Sequence, residues 1–163
     1  MGVRARVCSV AALLTVLTLL SLPSVPAAAH DKDDVPRGCT IGFWKNHTER
    51  WPHPYIPEQS LSEVFRGSTS HGLGSATLLE ALRFRGGPGT LGGARILLRQ
   101  AVAALLNEAQ FGGAYQGAES VNALQSAVNT ALGGSRSAML SLAERLEEAN
   151  DQNCSFLPVN GGK

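Results

Sequence analysis

Ala94-Arg95-Ile96-Leu97-Leu98-Arg99-Gln100-Ala101-Val102-Ala103-Ala104-Leu105-Leu106-Asn107-Glu108-Ala109-Gln110 is the stretch whose reading decides the fold. Leu98, Val102, Leu105 and Ala109 recur at spacings of four, three and four, the stripe of an amphipathic helix. Arg95, Arg99 and Asn107 fall on another face. Nothing in the stretch alternates with the period of two that a half-buried strand requires. Gly112-Gly113 terminates the helix.

The same pattern continues on both sides. Downstream, a helix is predicted from about Ser120 to Leu132, with Val121, Leu124, Val128 and Leu132 in line, stopped by Gly133-Gly134. The last helix is predicted from about Ser137 to Asn150. Met139, Leu142, Ala143 and Leu146 form its stripe, and Glu144, Arg145, Glu147 and Glu148 face water. Upstream, Leu61, Val64 and Phe65 face the core from a short helix. Ser75 is the expected N-cap of another, carrying Leu78, Leu79 and Leu82 and ending at Gly86-Gly87. Short connections favour antiparallel neighbours. The expected fold is therefore all-α, a small helical bundle.

The segment before Ser60 is different. Pro52, Pro54 and Pro57 forbid a long helix between Cys39 and Pro57. Phe43, Trp44, Trp51 and Tyr55 concentrate most of the large aromatic surface there, so an irregular segment packed by its aromatics is expected.

The N-terminus reads as a secretory signal peptide, residues 1–29. Arg4 and Arg6 give a positive start, Val10 to Leu22 an apolar run too short to span a bilayer comfortably, and Ala27-Ala28-Ala29 the small residues of a cleavage site. Cleavage after Ala29 is expected, with Ala27 or Ala28 as alternatives. Residues 30–38 form an acidic linker, 39–156 a single domain and 157–163 a C-terminal tail. No other stretch is apolar enough to cross a membrane. Lys and Arg number 14 against 13 Asp and Glu. Losing Arg4 and Arg6 tips that balance slightly acidic, which excludes a broad basic face for nucleic acid.

Removal of residues 1–29 takes Cys8 with it and leaves Cys39 and Cys154. An even pair in an exported chain predicts a disulfide. Closing a loop of about a hundred residues stabilises a fold by about 4–5 kcal/mol in the chain-entropy model. The competing reading is a pair of free or metal-bound thiolates, which the lack of any Cys-x-x-Cys spacing disfavours.

Trp44, Lys45, Asn46, His47 and Trp51 are the candidate binding residues. Asn and His offer donors and acceptors, and nearby indole faces suit stacking on sugars or apolar ligands. The plainer reading makes Phe43 and Trp44 core anchors and has His47 satisfy a buried backbone group. Asn46-His47-Thr48 also fits the N-glycosylation pattern. His30, at or near a mature N-terminus, is a weak candidate for copper through its amine and imidazole. Gly87-Pro88-Gly89-Thr90-Leu91-Gly92-Gly93-Ala94 has the glycine spacing of a phosphate loop but lacks its Lys and Ser/Thr, so a loop between helices is expected. Ser70-His71 belongs to no recognisable catalytic constellation. No cofactor is expected.

Cys39-Thr40-Ile41-Gly42-Phe43-Trp44-Lys45-Asn46-His47 resembles the opening of a group of bacterial secreted proteins with a Cys-Thr-x-Gly-[Phe/Tyr]-Trp-Lys-Asn-His signature. The likeness continues through Thr77 to Leu82, Ala94 to Asn107, Val121, Val128-Asn129, Ala131-Leu132, and from Met139 to Asn150 and Cys154. Similar proteins often carry a Gly-containing turn where this chain has Asp151-Gln152-Asn153. The resemblance implies a secreted module of unknown function and supplies no catalytic residues. The first expectation is a non-enzymatic extracellular or cell-surface module that meets a glycan, cell-wall or protein partner. The alternatives are a secreted hydrolase using His47, copper binding at His30, and a purely structural clasp.

Overall fold

Fourteen residues of one central helix have almost no contact with water, and the other elements are arranged around it. The structure, a computed structural model, describes residues 35–156. The expected signal peptide, His30 and the tail 157–163 lie outside the described residues. Six α-helices follow one another: α1 (Ile41–Asn46), α2 (Leu61–Val64), α3 (Leu78–Ala81), α4 (Gly89–Phe111), α5 (Val121–Leu132) and α6 (Arg136–Asn150). No strand occurs among the described residues. Backbone pairing between segments is limited to two isolated bridges, Arg37 with Asn153 and Ser60 with Thr77. The fold is a small all-α bundle.

α4 is the axis. At 23 residues it is about 35 Å long. It packs chiefly against α6, then α5, with α1 and α3 also laid against it. From Leu97 to Glu108 every residue except Arg99 is buried. A helix apolar nearly all round belongs at a core, not on a surface. The single stripe read from Leu98, Val102, Leu105 and Ala109 is therefore too narrow. Asn107, expected on a polar face, is fully buried.

The start of α4 also differs from expectation. The helix begins at Gly89, so the second half of the glycine-rich tract is its first turns and not a loop. Glycine is poor in a helix, yet Gly92 has no alternative. A Cβ there would collide with the Gly87 carbonyl, because residues 86–88 fold back over the helix start. Arg136 of α6 secures that fold-back, its guanidinium donating to the carbonyls of Gly89 (3.1 Å) and Gly87 (3.4 Å).

α3 starts at Thr77 and not Ser75. Thr77 Oγ1 accepts from Glu80 N–H while the Glu80 carboxylate accepts from Thr77 N–H, a reciprocal capping box. It ends at Leu82, ahead of Gly86-Gly87. α5 and α6 are capped by Ser120 and Ser135, and the stripe of α6, Met139, Leu142, Ala143 and Leu146, is buried as its spacing predicts. Leu61, Val64 and Phe65 are also buried.

The chain's opening is pinned to its end. Cys39 and Cys154 form a disulfide across 115 residues, with Cα atoms 4.5 Å apart. Arg37 N–H donates to Ala114 O (2.9 Å) and Gly38 N–H to Asn153 O (3.4 Å). Gly38 is glycine for a reason of space, since a Cβ there would run into the Ala149 carbonyl of α6. Cys39 is wholly buried and Cys154 is exposed. Reducing this bond, or replacing Cys154 by Ser, is expected to lower unfolding stability by about 4–5 kcal/mol. Urea unfolding with and without a phosphine reductant measures it.

Candidate functional site

Thr40 sets the geometry of the nonapeptide. Its hydroxyl accepts from Phe43 N–H, its carbonyl accepts from Trp44 N–H, and α1 follows for six residues. The segment expected to be irregular thus contains one short capped helix. Trp44 faces inward from it and is completely buried.

Asn107 receives this helix. Its Oδ1 accepts from the Cys39 N–H (2.8 Å) and from the Trp44 indole N–H (2.9 Å). Its Nδ2 donates to the Cys39 carbonyl (2.9 Å) and to Asn150 Oδ1 (2.8 Å). Every donor and acceptor position of the amide is used. Asn150, at the end of α6, is equally saturated. Its Oδ1 also accepts from the Tyr115 hydroxyl (2.9 Å), and its Nδ2 donates to the backbone and side-chain oxygens of Gln100, both at 3.1 Å. Four elements meet in this closed polar knot beneath the disulfide. Sequence reading missed Gln100, Tyr115 and Asn150. The available signal was the spacing of seven between Gln100 and Asn107, which puts two amides on one face of an otherwise apolar helix.

Glu108 and Tyr115 form the titratable edge of this region. Burial pushes the Glu108 carboxyl above its ordinary value, and its Oε2 has no hydrogen-bond partner. Burial, and then the charge of Glu108, pushes the Tyr115 phenol far upward. Tyr115 therefore stays a donor to Asn150 at any physiological pH.

The outer side of α1 is aromatic and polar. Phe156 stacks on Phe43 (5.1 Å between centroids) and meets Trp44 edge-on (5.9 Å) and Phe111 at a tilt (5.7 Å). The Arg50 guanidinium lies 5.3 Å over the Phe156 ring. The His47 ring sits 4.6 Å from Phe43. Trp51 is half-buried, its indole N–H donating to the Trp44 carbonyl at 3.0 Å.

The five candidate residues thus divide. Trp44 has no surface to offer a partner. Lys45 is half-buried, Asn46 and His47 are exposed, and Trp51 shows part of its ring. His47 does not satisfy a buried backbone group with its side chain. Its Nδ1 lies 3.2 Å from Glu49 Oε1, and the pair is open to solvent. A backbone hydrogen bond at Glu49 itself, then His47, holds that carboxyl below its ordinary value. An imidazole with an orienting carboxylate is two parts of a hydrolytic site. No serine, threonine or cysteine is hydrogen-bonded to His47 among the described residues. His71 is structural: its Nε2–H donates to the Leu132 carbonyl at 2.8 Å. No group of three or more His, Cys, Asp or Glu side chains with metal-binding geometry occurs among the described residues.

Comparison with protein-family models, with curated proteins and with solved structures gave no match to this chain.

Two expectations follow from the knot. Asn107→Ala leaves the Cys39 N–H and C=O, the Trp44 indole and one Asn150 lone pair unmet. At about 1–3 kcal/mol per unmet buried group, and less than additively, a loss of about 3–5 kcal/mol is expected in urea unfolding. For Glu108, a raised folded value means that the native state holds its proton more tightly than the unfolded chain. Stability from this residue is present at low pH and is lost as pH rises from the ordinary carboxyl range through the folded value. Glu108→Gln removes that titration. Melting temperatures across pH 3–9 should show the variant gaining on the parent as pH rises, then a constant difference.

Proposed function

We propose that this chain is an exported, non-enzymatic binding module of the bacterial extracellular space. Its contact face is the outer side of α1 and the turn that follows: Lys45, Asn46, His47 and Trp51, with Phe43, Arg50 and Phe156 beside them. The partner class that suits this chemistry is a cell-surface or cell-wall glycan. Aromatic faces cover the apolar side of a sugar ring, and the amide, imidazole and guanidinium groups address its hydroxyls.

The observation that carries the reading is the way Trp51 is held. Its indole N–H is spent on the Trp44 carbonyl while part of the ring stays exposed. Trp44 in turn is fixed by Asn107. A partly exposed aromatic with its orientation locked from below loses little entropy on binding. Export is supported by the signal-peptide pattern, by the Cys39–Cys154 disulfide and by the absence, among the described residues, of a helix long and apolar enough to cross a membrane. The likeness of the Cys39–His47 signature to bacterial secreted proteins points the same way.

A glycan and cell-wall polymer screen on the purified oxidised protein, followed by calorimetry on any hit, tests this. Trp51→Ala is expected to weaken binding by about tenfold, the upper range of one aromatic contact. His47→Ala, at an exposed position, is expected to weaken it without changing the melting temperature. Binding that both variants leave unchanged, or no binding to any polymer, rejects the face.

A further inference from the structure

The two ends of the Cys39–Cys154 disulfide stand in opposite surroundings. Cys39 has no contact with solvent, while Cys154 is exposed. Exchange with an outside thiol requires the attacking sulfur to reach one of the two sulfurs directly. In the folded protein that access exists on the Cys154 side only.

The two halves of the clasp are also held differently. Cys39 has its own anchors besides the covalent bond. Both of its backbone groups are bonded to Asn107, at 2.8 and 2.9 Å. On one side Arg37 N–H is tied to Ala114 O, and on the other α1 is tied down by the Trp44 indole. Cys154 has no such support. Among the described residues, Cys154, Ser155 and Phe156 make no backbone–backbone hydrogen bond, and Ser155 Oγ is buried without a partner. The last backbone tie before them, Gly38 N–H to Asn153 O, is long at 3.4 Å. What keeps this segment against the domain is the disulfide and the Phe156 ring, which stacks on Phe43 and meets Trp44 and Phe111.

We propose that Cys154 is a site of reversible thiol modification, forming a mixed disulfide with a small thiol of the glutathione kind. The thiolate of the small molecule attacks Cys154 Sγ. A new S–S bond forms there and the Cys154–Cys39 bond breaks. Its electron pair leaves on Cys39 Sγ, which takes a proton from water and becomes a thiol. Attack by Cys39 on the mixed disulfide reverses the step and releases the small thiol. One disulfide is exchanged for another, so no net oxidant or reductant is consumed. The adduct unclasps the end of the domain. Phe156 leaves its place on Phe43, while α1 stays on α4 through Asn107. None of this depends on what the outer face of α1 binds.

The test places the oxidised, folded protein in a mixture of reduced and oxidised glutathione at about pH 8, where a small thiol is partly thiolate. The adduct is isolated and kept at about pH 5, where thiols are protonated and exchange is slow. Peptide mass spectrometry locates it. The adduct is expected on Cys154 in at least about tenfold excess over Cys39, and the same mixture in concentrated urea is expected to place it on both. NMR of the folded adduct then separates release of the segment from unfolding. The Phe43 ring signals should move relative to the oxidised parent, and the Trp44 indole N–H should exchange with solvent as slowly as in the parent. An adduct on Cys39, an even spread over both cysteines, or no adduct without urea overturns the proposal. So does an adduct whose Phe43 signals stay where they were, or whose Trp44 indole N–H loses its protection.

Discussion

The side-chain amide of Asn107 is the point on which the rest of this structure depends. It lies near the C-terminal end of the most buried helix and makes four hydrogen bonds with no position left over. Two of them hold both backbone groups of Cys39, one holds the indole of Trp44, and one passes to Asn150. A buried amide of this kind is tolerable only when every position is met, because a half-satisfied one costs more than an apolar residue would. The arrangement therefore admits one placement of α1 on α4 and one of α6 beside it. An apolar contact at the same point would tolerate sliding. The knot does not, since moving any member strands the others.

The disulfide and the knot act on different states. The covalent bond between Cys39 and Cys154 chiefly limits the unfolded chain, whereas the amides specify which folded arrangement is reached. Gly38 joins the two. Its missing side chain lets the segment before Cys39 lie against the Ala149 carbonyl, which brings the Cys39 backbone within reach of Asn107 and its sulfur within reach of Cys154. Asp151 continues the helical hydrogen bonding of α6, and Gln152 folds back to donate to the Glu148 carbonyl at 2.8 Å.

The helices were legible in the sequence because their stripes were. Leu124, Val128 and Leu132 on α5, and Met139, Leu142 and Leu146 on α6, repeat at helical spacing and are buried together. The cysteine pairing was legible from the even number left once Cys8 is assigned to the signal peptide of an exported chain. What the stripes could not convey was the position of α4. A helix at the centre of a bundle buries every face, so its amphipathic signal is weak, and its polar residues look like a solvent face when they are core. Asn107 was misplaced for that reason, and Gln100 was passed over. The start of α3 was missed although Thr77-Leu78-Leu79-Glu80 spells a capping box, because Ser75 offered an earlier cap of the same chemistry. In the candidate site, residue type drew attention to Trp44 and Trp51 alike. Only packing separates them: one indole is used up inside by Asn107, and the other is held at the surface by the carbonyl of the first.

That separation gives the site its character. Trp51 donates to the Trp44 carbonyl, Trp44 donates to Asn107, and Asn107 is bound to Asn150, so a chain of hydrogen bonds runs from a half-exposed ring to the middle of the core. The outer residues are otherwise lightly held. His47 meets the Phe43 ring and the exposed Glu49, and Arg50 rests over Phe156. A surface with a fixed aromatic centre and exposed polar edges can keep one contact in place while hydrogen bonds form around it. The same knot also holds the buried Gln100 amide, whose Oε1 accepts from Asn150. The half-exposed Trp51 ring therefore draws its rigidity from one buried amide, and loosening Asn107 would blur its placement before it unfolded the domain.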